Sequence, residues 1–201
     1  MDYPSDPTGL SPDILLKAYS IGLFPMAESA DDPGLFWVEP KERGIIPLDK
    51  FHVPKRLQRT IRRQPYQIKI DHDFDGVIEG CALRANTSET WINARIKALY
   101  RALFEQGNCH TIECWQEGKL LGGLYGVSLG AAFFGESMFS RSRDASKVAL
   151  AYLLAHLLER GFMLLDTQFI TEHLKQFGAI TIPQTEYLKL LDKALQKNAQ
   201  F

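Results

Sequence analysis

Three β-prone runs follow one another between His110 and Ser137: "HTIECWQ", "KLLGGLYGVSL" and "AAFFGES", the first two joined by "EGK". Runs this short and this closely spaced pair as an antiparallel meander. Next comes "DASKVALAYLLAHLLERG", mostly apolar, with Asp144 near its start and Gly161 at its end, which predicts a long helix. "FMLLDTQF" then predicts a strand, "ITEHLKQFG" a short helix and "TEYLKLLDKALQK" a final amphipathic helix. The order β-β-β-α-β-α places the chain in the α+β class, a mixed sheet flanked by helices.

Upstream, "LSPDILLKAYSIGLF" predicts a helix capped by Ser11 with Pro12 at its first position. The Pro- and Gly-rich segment after it reads as loop with one short strand around Phe36–Val38. A small N-terminal domain over 1–44 is expected, with a larger domain over 45–201. In the latter, "VPKRLQRTIRRQ" reads as a short helix and "YQIKIDHDF" as a strand, and "DFDGVIEGCALR" and "NARIKALYRALFEQG" read as helices.

Composition narrows the function. The 201 residues are 45% hydrophobic and 23% charged, with net charge −1, so any nucleic-acid contact must come from a local patch. Cys81, Cys109 and Cys114 have no metal-ligand or CxxC spacing, which argues against a disulfide framework and for a reducing cytoplasm. "MDYPSDPTGLSPD" lacks the apolar centre of a secretory signal. The apolar stretch Val148–Leu158 is too short to span a bilayer, so no membrane partner is expected. The five histidines form no metal signature, and Gly122, Gly123, Gly126 and Gly130 make no phosphate loop. No Ser/His/Asp constellation stands out.

Four features remain. Lys55, Arg56, Arg59, Arg62 and Arg63 fall within an arc of roughly 120° on a helical wheel, with Leu57 and Ile61 opposite. That face is either solvated surface or a phosphate-binding stripe, and it does not tell DNA from RNA. Phe24, Phe36, Trp37 and Trp91 lie in or near loop-like sequence, where aromatics either cap a core or stack on bases. In "FFGESMFSR", Glu136 and Ser137 interrupt an apolar run. Glu136 needs a partner, either a ligand or a neighbour such as Arg141, Arg143 or Lys147. Phe133 and Met138 are candidates to line an apolar pocket. In "LLDTQF", strand alternation puts Asp166 and Gln168 on one face, as a structural pair or as an acid orienting an amide that aligns a reacting amine. His173 follows as a helix-face residue or a neighbour of that pair.

Taken together, "GLFPM", "WVEPKERG", "DFDGVIEGCA", "TWI", "GGLYGV", "FFGESMFSR", "DASKVAL", "LLDTQF" and "HLKQFGA" resemble the bacterial leucyl/phenylalanyl-tRNA–protein transferases. The resemblance runs from about Leu10 to Tyr187. It implies an acetyltransferase-like (GNAT-like) C-terminal domain that moves leucine, phenylalanine or methionine from aminoacyl-tRNA to the α-amine of proteins beginning with Lys or Arg. The product would be read by the bacterial N-degron pathway. It implies no metal and no cofactor, because the ester is already activated, and no DNA partner. Asp166 and Gln168 would be catalytic. Trp91, Tyr100 and Glu136 would hold the 3′-terminal adenosine and acceptor end, with Trp37 and Ser137 also at the substrate. Phe133 and Met138 would line the side-chain pocket, and the basic stripe would bind tRNA. Met26 stands where many members have the Trp that stacks on the adenosine, and Trp37-Val38 where many have two Trp. Phe36 or Trp37 would then supply the stacking face, and altered donor or acceptor specificity is the alternative reading. An acetyl-CoA N-acetyltransferase is disfavoured because "SRSRDASK" has no glycine for a pyrophosphate loop. A purely RNA-binding module gives Asp166 and Gln168 no task.

Overall fold

The computed structural model describes residues 10–29, 34–83 and 90–201. The Pro-rich opening as far as Gly9, loop residues 30–33 and most of the polar run before Trp91 lie outside them. Helix α1 (Pro12–Ser20) begins as expected, with Ser11 Oγ accepting the Ile14 N–H at 3.3 Å, and buries Leu15, Ala18 and Tyr19. Strands β1 (Phe24–Met26) and β2 (Phe36–Val38) pair antiparallel as a separate two-stranded sheet, where the sequence predicted one strand. The expected 44/45 boundary falls inside β3 (Glu42–Ile46), an internal strand of the main sheet.

There follow α2 (Lys55–Arg62), β4 (Gln67–Ile70), α3 (Phe74–Ala82) and α4 (Ala94–Glu105), all at predicted places. The meander is β5 (Cys109–Gln116), β6 (Lys119–Leu129) and β7 (Ala132–Ser140), with the hairpin turned at Glu117 and Gly118, both at positive φ. Then come α5 (Ala145–Glu159), β8 (Leu164–Gln168), α6 (Glu172–Lys175), β9 (Ile180–Pro183) and α7 (Gln184–Leu195). Strand β9 was not foreseen.

The main sheet runs β4-β5-β6-β7-β8-β3-β9. Every pair is antiparallel except β7 and β8, joined in parallel through α5. Parallel strands need such a crossover. Helix α5 buries Val148, Leu150, Leu153, Leu154 and Leu157, the apolar content expected of a crossover pressed on a sheet. The α+β architecture, a mixed sheet flanked by helices behind a small N-terminal region, is the one expected.

Two irregularities position the site. The β7–β8 pairing covers only Ala132–Phe134 against Leu164–Asp166, and beyond it the strands part. In the β6–β7 ladder Tyr125 pairs with Ser137 and Gly126 with Gly135, so Glu136 is the extra residue of a β-bulge. All three cysteines are free and buried. Among the described residues no helix is long and apolar enough to cross a membrane.

Candidate active site

A cavity of about 380 Å³ opens where β7 and β8 part. Gly135, Glu136, Ser137 and Met138 of β7 face Leu165, Thr167 and Gln168 of β8, and Leu150 and Leu153 of α5 contribute apolar wall. Phe24, Pro25 and Met26 of β1, together with Trp91 and Phe169, complete one side, and His173 and Leu174 of α6 another. The lining is mainly apolar with a few polar groups, as in most small-ligand sites.

Asp166 is wholly buried and does not line this space. Its partner is Arg43, itself 1% exposed, which donates from Nε to Oδ1 at 2.9 Å and from Nη2 to Oδ2 at 2.6 Å. Arg43 also donates from Nη1 to the Gly22 carbonyl at 2.9 Å, and its guanidinium lies 4.6 Å from the ring centroids of both Phe24 and Tyr187. Burial works against the arginine's charge, but the Asp166 carboxylate outweighs it and the Arg43 pKa is raised. Tyr187 donates its hydroxyl to Asp166 Oδ2 at 2.7 Å. The remaining donor is the Gln168 backbone N–H, 2.7 Å from Asp166 Oδ1.

Asp166 and Gln168 therefore meet through the main chain rather than through side chains on one face. The reason is a φ of 58° at Gln168, a left-handed conformation that ends the strand's alternation. The Asp166 carboxylate and a tight Phe169 N–H to Thr167 carbonyl bond of 2.6 Å flank that conformation. The Gln168 amide donates from Nε2 to Glu136 Oε1 at 2.9 Å.

Glu136 has none of the basic partners expected. Tyr19 donates to its Oε1 at 2.7 Å and Tyr100 to its Oε2 at 2.8 Å, and the two hydroxyls lie 2.6 Å apart. Desolvation raises the Glu136 pKa to about 7, with the charge of Asp166 adding to it and the Tyr19, Tyr100 and Gln168 hydrogen bonds opposing it. Burial raises both tyrosine hydroxyls well above their usual value, and the nearby Glu136 charge adds to this. His173 keeps its Nε2 buried without a hydrogen-bond partner, as does Thr167 its Oγ1. Burial, then nearby Lys147, lowers the His173 pKa.

Of the residues singled out from sequence, Trp91, Glu136, Ser137, Met138 and Gln168 come together around the cavity. Tyr100 stands behind it, through Glu136. Phe133 does not line it. It is fully buried on the other side, near Phe162 and Phe201 and packed over Gly126, where a Cβ would come within 2.4 Å of its ring. Trp37 and Phe36 lie on β2, 41% and 46% exposed, and are not among the lining residues. Lys55, Arg56, Arg59 and Arg62 of α2 and Arg63 at its C-cap are all exposed, with Leu57 buried behind them. Arg56, Arg59 and Arg63 share a second cavity, of about 510 Å³, with Tyr66 and Arg143.

Sequence reasoning missed Arg43, Tyr19, Tyr187 and Phe169. Each lies within or beside a quoted motif, but their pairings span the chain and leave no local signal. The structure also aligns Asp71, His110 and Ser128, at 2.8 Å and 3.1 Å, a constellation no spacing revealed. Phe201 stacks on that imidazole at 4.2 Å, and none of the three lines either cavity described above.

An apolar cleft with a carboxylate and an amide beside it can seat a hydrophobic side chain and align an amine against a carbonyl. Those are the requirements of acyl transfer. A family model described as leucyl/phenylalanyl-tRNA protein transferase matches residues 45–192, and one for that family's N-terminal domain matches residues 9–41. The chain belongs to the leucyl/phenylalanyl-tRNA protein transferase family, a family of aminoacyltransferases. Among solved structures it is similar to L-PGS from Bacillus licheniformis, at 16% identity and TM-score 0.42 over 80% of this chain and 60% of that one. It is also similar to a conserved protein of unknown function from Staphylococcus epidermidis, at 9% identity and TM-score 0.43 over 87% and 65%. The chain thus spans less than two thirds of the length of either.

Proposed function

We propose that this protein transfers leucine, phenylalanine or methionine from aminoacyl-tRNA to the α-amine of proteins beginning with Lys or Arg. The observation that carries this reading is the Glu136–Gln168 pair, 2.9 Å apart at the edge of an apolar cavity, in a chain of this family. The donor's side chain sits among Leu150, Leu153 and Leu165, with Met138 adapting to branched or planar shapes. Its ester carbonyl lies toward Gln168. The single-stranded 3′ end of the tRNA stacks on the exposed ring of Phe169 and the half-buried Trp91 beside it. Phosphates of the acceptor stem run over the arginines of α2 and Arg143.

The α-amine of the acceptor has an ordinary pKa of about 7.7–8.0, so a useful neutral fraction exists near pH 7. Positioning then supplies much of the acceleration. Gln168 Nε2 is engaged by Glu136, which leaves its carbonyl oxygen to accept from the attacking amine. Asp166 acts through Gln168 by fixing its backbone. Glu136 is the one acid lining the cavity among the described residues, and the buried Asp166 does not reach it. The setting is the cytoplasm, where charged tRNA is found, and the consequence is entry of the product into N-degron degradation.

The test is incorporation from a panel of charged tRNAs into peptides with Lys, Arg, Asp or Glu at their N-terminus. Leucyl- and phenylalanyl-tRNA with Lys and Arg peptides are expected to react. Preferred transfer from arginyl-tRNA, or to Asp or Glu peptides, would overturn the specificity.

A further inference from the structure

Glu136, Tyr19 and Tyr100 form a closed triangle of short contacts: 2.7 Å from Tyr19 to Oε1, 2.8 Å from Tyr100 to Oε2, and 2.6 Å between the hydroxyls. Each tyrosine carries one hydroxyl proton, and an ionised carboxylate carries none. Two protons then serve three contacts, and one close oxygen pair has nothing between it. A third proton on Glu136 completes the ring: the acid donates to Tyr100, Tyr100 to Tyr19, and Tyr19 back to the carboxyl. Such a cycle is cooperative, and more so away from water. The three side chains come from β7, α1 and α4, and only Glu136 reaches the cavity. The arrangement is thus a proton-accepting device with one opening, next to Gln168.

Resting on the transfer reaction proposed above, we propose that Glu136 is the catalytic base that receives the proton of the attacking α-amine, with the Tyr19–Tyr100 pair holding that proton in place. The amine nitrogen forms the new bond to the ester carbonyl carbon, and its proton passes to Glu136. The bond from that carbon to the ribose oxygen then breaks, and the proton on Glu136 goes to the departing ribose oxygen. The products are an amide and a free ribose hydroxyl, with Glu136 again ionised and nothing else consumed. Gln168 aligns the amine, and proton acceptance belongs to its hydrogen-bonded neighbour.

The titratable groups around Glu136 act in definite directions. Burial raises its pKa to about 7, Tyr19 and Tyr100 oppose this, the charge of Asp166 on β8 raises it, and Gln168 opposes it. Arg43 on β3 and Cys109 on β5 both feel the Glu136 charge, Tyr125 on β6 acts on the two tyrosines, and His173 lines the same cavity. A base of this kind is half available near neutral pH, where general-base catalysis is most effective.

The experiment is single-turnover transfer from leucyl-tRNA to a saturating Lys-peptide between pH 5.5 and 9. The unaltered protein is expected to show a rate that rises through about pH 7. Glu136→Gln should lower the plateau by about 10²-fold or more and abolish that limb. The amide keeps the side chain's size and removes a charge that burial disfavours, so this variant is expected to fold. Tyr100→Phe opens the ring and removes the hydroxyl that meets Glu136 Oε2 in both protonation states, so its limb should move away from that of the unaltered protein. The acceptor amine's own limb stays in place in all three proteins. Persistence of the limb near pH 7 in Glu136→Gln beside the amine's own, or its failure to move in Tyr100→Phe, would overturn the proposal while leaving the transfer reading intact. Absence of transfer by the unaltered protein would overturn both.

Discussion

Asp166 and Glu136 are both acids among apolar neighbours, and they are met in different ways. Asp166 has a buried cation, a tyrosine hydroxyl and a backbone N–H, while Glu136 has only neutral donors among the described residues. Replacing Asp166 by Asn would leave Arg43 buried without its counter-charge. Breaking a buried pair from one side costs about 3–5 kcal/mol. Asp166→Asn is therefore expected to lower the urea midpoint at pH 7 by that equivalent, and its activity must be measured on the folded fraction. A loss below about 1 kcal/mol, the range of exposed pairs, would show that water reaches Arg43. The pairing of Asp166 with Gln168 was legible in "LLDTQF" as two polar residues in an apolar run. Their shared face was not, because a φ of 58° at Gln168 breaks the alternation on which that reading rested. Arg43, 123 positions from Asp166, had no local signal to betray it. Phe133 shows a further limit: an apolar residue beside a site motif reads the same whether it faces a cavity or the packed side of the sheet.

Among the elements, the long and strongly patterned ones were the readable ones: α5, α7 and the meander. The hairpin at "EGK" announced itself through Gly118, which supplies the positive φ such a turn needs. Strand β9 escaped because it has four residues ending in proline, and only Ile182 of them is buried. The bulge at Glu136 also has no sequence signature, yet it is what aims the acid at Tyr19 and Tyr100. Helix α2 was legible from its wheel alone, since Leu57 anchors it and five basic side chains stay exposed. What the wheel could not give was Arg143, which joins Arg56, Arg59 and Arg63 from 80 positions beyond Arg63. Reversing Arg59 and Arg62 to Glu should raise the KM for charged tRNA and flatten its dependence on salt, because fewer counterions are displaced on binding. An unchanged KM and salt slope would return α2 to ordinary solvated surface.

For the whole molecule, the decisive event is the parting of β7 from β8 after three paired residues. One side of the gap carries the bulge and Glu136, the other carries Gln168 at its left-handed turn, and α5 floors it with leucines. Strand β3 then lies on the far side of β8 and brings Arg43 to Asp166, which ties the segment before residue 45 to the chemistry. The order of elements predicted the class of fold, but where two neighbouring strands separate depends on the packing of the entire sheet. In the reaction proposed above, this gap seats the donor's side chain. Leu150 is 3% exposed and forms part of its wall, so Leu150→Phe would shorten the space. The direct measurement is the ratio of kcat/KM for phenylalanyl-tRNA to that for leucyl-tRNA, taken in one preparation so that the folded fraction cancels. The ratio is expected to fall by about 10-fold or more in Leu150→Phe, the scale on which hydrophobic pockets discriminate size. A ratio equal to that of the unaltered protein would place the donor side chain elsewhere.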